Sequence, residues 1–439
     1  MTARVLLVFV LATCVPAVGG AQVLERPQRE RASRSDSTRQ VTLSTTTLGS
    51  YDDNLAAEQT LTSSEIPAQA GYTGYADTTL GFEQRKGSRL FDASARGYVN
   101  SFRNVGLTPK FGADAQVHFA TGTKHQFQVW QAVRNEPFYN VGGFSVFRHV
   151  ADLPTLPDEN PLNSSTTRRS WAAASRVDFI SNWSPRNTAG VSLAYDTRNY
   201  RDLDGDTRGG VGSLFYSRNL GRRSRLRFSY GYADSRLLEP AGWVPLQTNT
   251  ADGGLELERR FSSTRRILVS FGAGAIRVTT LERPSRELVN LWVPAGYSTI
   301  RLGWARTWGV TADYRRSVSA LQGISGNAFT TDAALVGVGG FVARPLELGL
   351  SIGYSDGQAS AAAFGSYRTY TANAQLRAHL SSQWSALVGY DRYQYALRGI
   401  DPILRQVPGN VNRNAVRVGL AMNLPLGGSR SRTEPTRRD

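Results

Sequence analysis

Cysteine is almost missing from this chain of 439 residues: Cys14 stands alone near the N-terminus, so no disulfide can staple the rest. Histidine is nearly as scarce. His118, His125, His149 and His379 are the only four, and none sits at i, i+4 spacing around a glutamate, which excludes a zinc-hydrolase helix. There is no Gly-x-Ser-x-Gly elbow and no phosphate loop. Beyond the first twenty residues no apolar run approaches the roughly 18–20 residues that a spanning helix needs. Lysine is confined to Lys86, Lys110 and Lys124, so the excess of Lys plus Arg over Asp plus Glu, 51 − 35 = 16, is carried by arginine. Those arginines are scattered over strand faces, turns and loops and are not gathered into one stripe, which argues against a nucleic-acid partner. A positively lined pore, and loops that pair with anionic lipid or sugar phosphates, are the uses that scatter fits. These absences point away from an enzyme, a metal site or a cofactor.

What the chain has instead is alternation. Leu226, Phe228, Tyr230 and Tyr232 interleave with Arg225, Arg227, Ser229 and Gly231. Leu346, Leu348, Leu350, Ile352 and Tyr354 interleave with Glu347, Gly349, Ser351, Gly353 and Ser355. Tyr370, Ala372, Ala374 and Leu376 interleave with Thr369, Thr371, Asn373, Gln375 and Arg377. A period of two sends each set to one face of a strand. The second face carries arginine, aspartate, glutamate and histidine, so it must meet water. Many such strands in series predict an all-β fold: a single transmembrane antiparallel β-barrel of the bacterial outer membrane. A soluble sandwich would bury Arg176, Asp178, Arg227 and Arg377 against a second sheet. A charge on the lipid side near mid-membrane costs roughly 2–4 kcal/mol, and placing these residues in the interior removes that cost.

The N-terminus reads as a secretory signal, residues 1–21, with Arg4 as its charge, Val5 to Val15 as its apolar region and Gly19-Gly20-Ala21 as its cleavage site. Residues 22–39 are polar and basic, a flexible periplasmic lead-in. The barrel is expected over 40–426, followed by a basic tail over 427–439. Tight turns are expected near Lys86-Gly87-Ser88, Thr121-Gly122-Thr123, Ser184 to Asn187, Gly221-Arg222-Arg223, Ser262-Ser263-Thr264, Arg306, Val342-Ala343-Arg344 and Ser381-Ser382. Longer polar segments fall between them, at 52–71, 104–109, 136–167, 201–207, 237–248, 279–295, 318–327, 356–366 and 395–412. Short periplasmic turns and long extracellular loops then give about 18 strands, with 16 as the alternative because the 297–317 hairpin is poorly bounded. Trp183, Phe261, Trp304, Trp308 and Trp384 stand beside short turns, where an interfacial girdle belongs.

The candidate pore-lining residues are Arg176, Asp178, Arg198, Arg227, Glu256, Glu258, Asp313, Arg315, Arg377, His379, Asp391 and Arg417. They supply mixed but mainly positive charge to a hydrated solute. The third long loop is unusually apolar, and Phe138, Tyr139, Phe144, Phe147, Asp152, Asp158 and Glu159 are its candidates for an inward constriction; an external lid and an extra strand pair are the alternatives. Asp202-Leu203-Asp204-Gly205-Asp206 is dense in carboxylates but lacks the closing glutamate of a calcium loop, so a solvated turn is the simpler reading.

The last strand, with Gly419-Leu420-Ala421-Met422-Asn423-Leu424, looks like the terminal signal read by the outer-membrane assembly machinery, although Gly427 to Asp439 follow and no terminal phenylalanine is present. Tyr51-Asp52-Asp53-Asn54-Leu55, at the end of the first predicted strand, resembles a motif of a β-barrel porin family associated with bacterial exopolysaccharide loci. That resemblance implies an outer-membrane barrel passing or anchoring a secreted polysaccharide, with polysaccharide export components as partners beside membrane lipids and lipopolysaccharide. The functional expectation is a channel or export conduit for polar or anionic solutes, acidic exopolysaccharide among them. The alternative is a plugged barrel serving as a structural or adhesion platform through its extracellular loops.

Overall fold

The computed structural model describes residues 37–54, 70–103, 110–121, 124–137, 169–200, 206–239, 242–262, 264–281, 287–304, 307–321, 325–359, 365–398 and 410–431. These form β1 (Ser37–Asp52), β2 (Gly71–Lys86), β3 (Arg89–Arg103), β4 (Lys110–Thr121), β5 (His125–Pro137) and β6 (Arg169–Asn182). They continue as β7 (Asn187–Tyr200), β8 (Thr207–Asn219), β9 (Ser224–Glu239), β10 (Gly242–Ser262), β11 (Arg265–Leu281) and β12 (Leu288–Trp304). The last third is β13 (Trp308–Leu321), β14 (Ser325–Ala343), β15 (Leu346–Ala359), β16 (Ser366–His379), β17 (Trp384–Arg398) and β18 (Asn410–Ser431).

Each strand pairs antiparallel with its neighbours in sequence, and β1 pairs with β18, so the 18-stranded sheet closes on itself. Closure satisfies the backbone groups that an open edge would leave bare, which is what a sheet in lipid requires. The barrel runs three residues before and five residues beyond the expected 40–426, because Ser37 to Val41 ladder with Gly427 to Ser431 across that closing seam. Extended polar backbone needs only a partner strand to join the sheet, whatever its side chains.

Three segments expected as long loops, 237–248, 279–295 and 318–327, are largely strand. β9 and β10 bracket residues 240–241, β11 and β12 bracket 282–287, and β13 and β14 bracket 322–324, so most of each segment lies in strands. Gly242 and Pro245 suggest a loop by composition, but Val244 and Leu246, buried on one face of β10 with Trp243 exposed on the other, keep the alternation running. The expected constriction-loop residues Phe138, Tyr139, Phe144, Phe147, Asp152, Asp158 and Glu159 lie outside the described residues, as do residues 1–21, Leu55, the 202–205 part of the acidic turn and the end of the basic tail.

Register sorts side chains onto two faces. Phe228 and Tyr230 are about half exposed, with Leu193, Leu214, Ile352, Val388 and Val418 on the same face of their strands. So large a continuous apolar surface has no place in water and marks the lipid-facing side. Trp183, Phe261, Trp304 and Trp384 are exposed at the short-turn ends, and Trp308 donates its indole N–H to the Phe341 carbonyl at 3.1 Å.

The barrel is not evenly round. Cα atoms of β10 and β14 approach within 8 Å, although four strand spacings would hold them roughly 19 Å apart on a flat sheet. The sheet is therefore sharply folded over β10–β14. The β12–β13 ladder stops at Gly296 and Arg316; Pro294, two residues beyond, offers no N–H to extend it. Above that break Leu246, Ile276 and Val278 are buried, and Leu291, Val293, Ala295 and Val318 pack on them.

Candidate functional site: the inward face of the barrel

All twelve candidate lining residues fall on the inward face of their strands, since each pairs in register with residues opposite the lipid-facing set. They do not form one site. Arg176 and Asp178 on β6 pair with each other at 2.8 Å. Arg198 on β7 is buried. Glu258 meets Arg260 at 2.9 Å near the short turn after β10. Arg377 and His379 share Glu347, at 3.9 Å and 3.6 Å, near the short turns joining β14–β17. Asp391 and Arg417 form a buried ion pair across β17 and β18, and Asn373 donates to Asp391 from β16.

The folded sector brings a subset together. Arg227 projects from β9, Glu256 from β10 and Arg315 from β13; Asp313 lies two residues before Arg315 on the same face. Arg315 lies within Coulomb range of Asp252 on β10 and Arg227 on β9. Those strands are three and four positions away from β13, so only the concave side can bring the charges near. Tyr297 of β12 crosses this hollow, close to Arg227, Asp252, Glu256 and Ser270. It lies over Gly254 and Gly272, where a Cβ would overlap its ring; glycine here serves to let a side chain lie flat on the backbone.

The charges are unequally satisfied. Arg96, Arg176, Arg225, Arg377, Arg413 and Arg417 each lie within 4 Å of a carboxylate. Inward carboxylates meet several of these arginines: cross-strand register sets Glu256 opposite Arg225, and Arg417 lies against Asp391. Arg227 and Arg315 differ. Among the described residues neither has a carboxylate within 4 Å. The Arg227 guanidinium rests 5.5 Å from the Phe215 ring centre, and its Nε is buried with no hydrogen-bond partner among the described residues. Asp252, whose charge reaches Arg315, accepts a hydrogen bond from Ser229.

Sequence reasoning missed Asp252, Tyr297, Glu347 and the Arg96–Asp77 pair, and it placed no role on Arg413. Asp252 shares the parity of Glu256 and Glu258, so alternation could have found it had the Gly253-Gly254 pair not interrupted the pattern. Among the described residues no group of three His, Cys, Asp or Glu side chains is placed to hold a metal ion.

A closed antiparallel barrel, apolar outside and lined with ion pairs inside, is a transmembrane β-barrel of the bacterial outer membrane. No protein-family model and no curated protein matches the chain. Solved structures of similar outline include Pseudomonas aeruginosa OpdL, at 11% identity and a TM-score of 0.47, covering 89% of this chain and 99% of that one. Acinetobacter baumannii OccAB2 is similar at 9% identity and a TM-score of 0.48, covering 89% and 98%. The outer membrane protein opdK of Pseudomonas aeruginosa is similar at 10% identity and a TM-score of 0.45, covering 88% and 99%.

Proposed function

We propose that the barrel is a narrow passive channel for small polar and anionic solutes. The observation that carries this reading is the pair Arg227 and Arg315, which face one hollow from β9 and β13 without a carboxylate inside 4 Å among the described residues. Paired arginines are electrostatically spent. These two keep a field directed at whatever occupies the hollow, and fixed charges within about 10 Å, the Debye length at 0.1 M salt, set the local concentration of permeating ions. Tyr297 adds a hydroxyl to the same wall, able to donate to a solute oxygen.

The test is the reversal potential of the purified barrel in planar bilayers under a salt gradient. Wild type should prefer anions, and Arg227→Ser with Arg315→Ser should move the potential toward cation preference, most visibly at low salt. A wild-type pore that already prefers cations would overturn the assignment. The same reading takes residues 1–21 as an export signal and the β18 sequence as the element engaged by the assembly machinery.

A second reading, a plugged barrel acting as a structural or adhesion platform, is favoured by one observation: Arg413, Phe329, Thr331 and Tyr395 on the inward face are all but fully buried. Absence of any conductance would select it. Conduction of acidic exopolysaccharide rests on the Tyr51–Leu55 resemblance alone.

A further inference from the structure

The sequence motif that the channel reading leaves unused sits at the one place where the barrel closes. β1 meets β18 across the longest sequence separation of any pairing in the sheet, from Asp52 with Ala415 to Ser37 with Ser431. Apolar packing at that seam gathers around Leu48, which clusters with Tyr75, Tyr98, Leu387 and Ala421, and the stretch of β1 before it is poor in apolar side chains. From Thr42 to Thr47, β1 offers Thr42, Ser44, Thr45, Thr46 and Thr47 with a single leucine, and Gly49 and Gly419 stand close by. Small hydroxyl side chains add few of the cross-strand contacts that stabilise a ladder. β1 itself ends at Asp52.

At that end the motif grips β18 from both sides of the wall. On the inward face, Arg413 donates from Nη2 to Asp52 Oδ2 at 2.5 Å and from Nε at 3.2 Å, and the two side chains are 1% and 3% exposed. On the outward face, Asp53 accepts from the Asn414 backbone N–H at 2.7 Å and from its side-chain amide at 2.6 Å. The Asp53 N–H donates to the Asn414 carbonyl at 3.1 Å, continuing the ladder one step past the strand. Asn54 donates its side-chain amide to the Asn412 carbonyl at 2.9 Å and its backbone N–H to Asp52 Oδ1 at 2.9 Å. Consecutive residues point to opposite faces of a strand, so two adjacent aspartates are what allows one short segment to hold its neighbour from inside and outside at once.

We infer that Tyr51-Asp52-Asp53-Asn54 is a two-sided latch that keeps the β1–β18 seam shut at its extracellular end. A seam that frayed there would present unpaired N–H and C=O groups to lipid, which a barrel cannot tolerate. Tyr51, tilted against Tyr72 at 5.3 Å between ring centres, covers the outer side of the latch toward β2.

Hydrogen–deuterium exchange of the detergent-folded barrel reads this directly. In Asp52→Asn with Asp53→Asn, segments 48–54 and 412–418 should lose protection while the β9–β10 ladder keeps it. A disulfide between Thr47→Cys and Leu420→Cys, direct partners across the seam, introduced with Cys14→Ala, should restore protection. Should the double variant fail to fold, Asn54→Ala and Asp53→Asn singly leave the Asp52–Arg413 pair in place and should each show a partial loss at the same two segments. Unchanged protection at the seam overturns the latch. So does a loss spread evenly over the barrel, which would make the motif an ordinary stabilising contact.

Discussion

Two arginine–carboxylate pairs on opposite faces of the barrel wall show how little the residue types alone say. Arg413 and Asp52 face inward at 1% and 3% exposure, while Arg316 and Asp332 face outward at 40% and 39%, 3.6 Å apart. The inner pair has neighbours of the same kind: Arg417 and Asp391 lie close by, and the charge of Asp52 reaches Asp391. Four buried charges of alternating sign have been taken out of water together. Each depends on its partner, since a lone buried charge is far costlier than a pair. The outer pair keeps access to headgroups or water and has only a weak, screened attraction to lose.

The largest effect should come from breaking the inner group. Arg413→Gln leaves Asp52 buried without its cation and should cost about 3–5 kcal/mol, read as a lowered urea midpoint or a lowered temperature of the heat-modifiable band shift. A loss below about 1 kcal/mol, the range of exposed pairs, would show that water reaches Asp52 and that the two pairs are alike. A middle-sized effect separates charge from packing on the same inward face. Gly272→Leu forces a side chain into the Tyr297 ring and should cost roughly 1–3 kcal/mol, the usual range for overpacking, with no dependence on salt. The smallest effect belongs outside. Arg316→Gln should cost between about 0 and 1 kcal/mol and should become indistinguishable from wild type near 1 M salt, where the screening length is about 3 Å. A salt-insensitive loss there would mean that the outward pair is desolvated by lipid and belongs with the inner one.

Much of the architecture is legible in the chain because it depends on local chemistry. The alternation around Arg227 and Arg377 assigns faces without knowledge of any partner strand, and Lys86-Gly87-Ser88 announces its turn, where Gly87 takes a φ of 57°. The 237–248 segment misleads for the opposite reason: glycine, proline and glutamine composition describes a tendency, whereas the pairing of Trp243 with Leu238 and of Leu246 with Ser235 extends β10 regardless. The site is less legible than the fold. Arg227 and Arg377 have the same parity and the same chemistry, yet Arg377 lies 3.9 Å from Glu347 and Arg227 has no such neighbour among the described residues.

By itself the sequence determined that strands of two faces follow one another to the end of β18, that the charged face must turn away from lipid, and hence that the sheet must close. Those outcomes follow from a period of two and from the cost of charge in hydrocarbon, both readable one strand at a time. Only the tertiary structure decided which inward charges meet. The sharp fold over β10–β14 sets Arg315 near Arg227 and Asp252, and closure lays Asp52 against Arg413. Both juxtapositions are products of curvature and register accumulated around 18 strands, and such sums are not contained in any local stretch of chain.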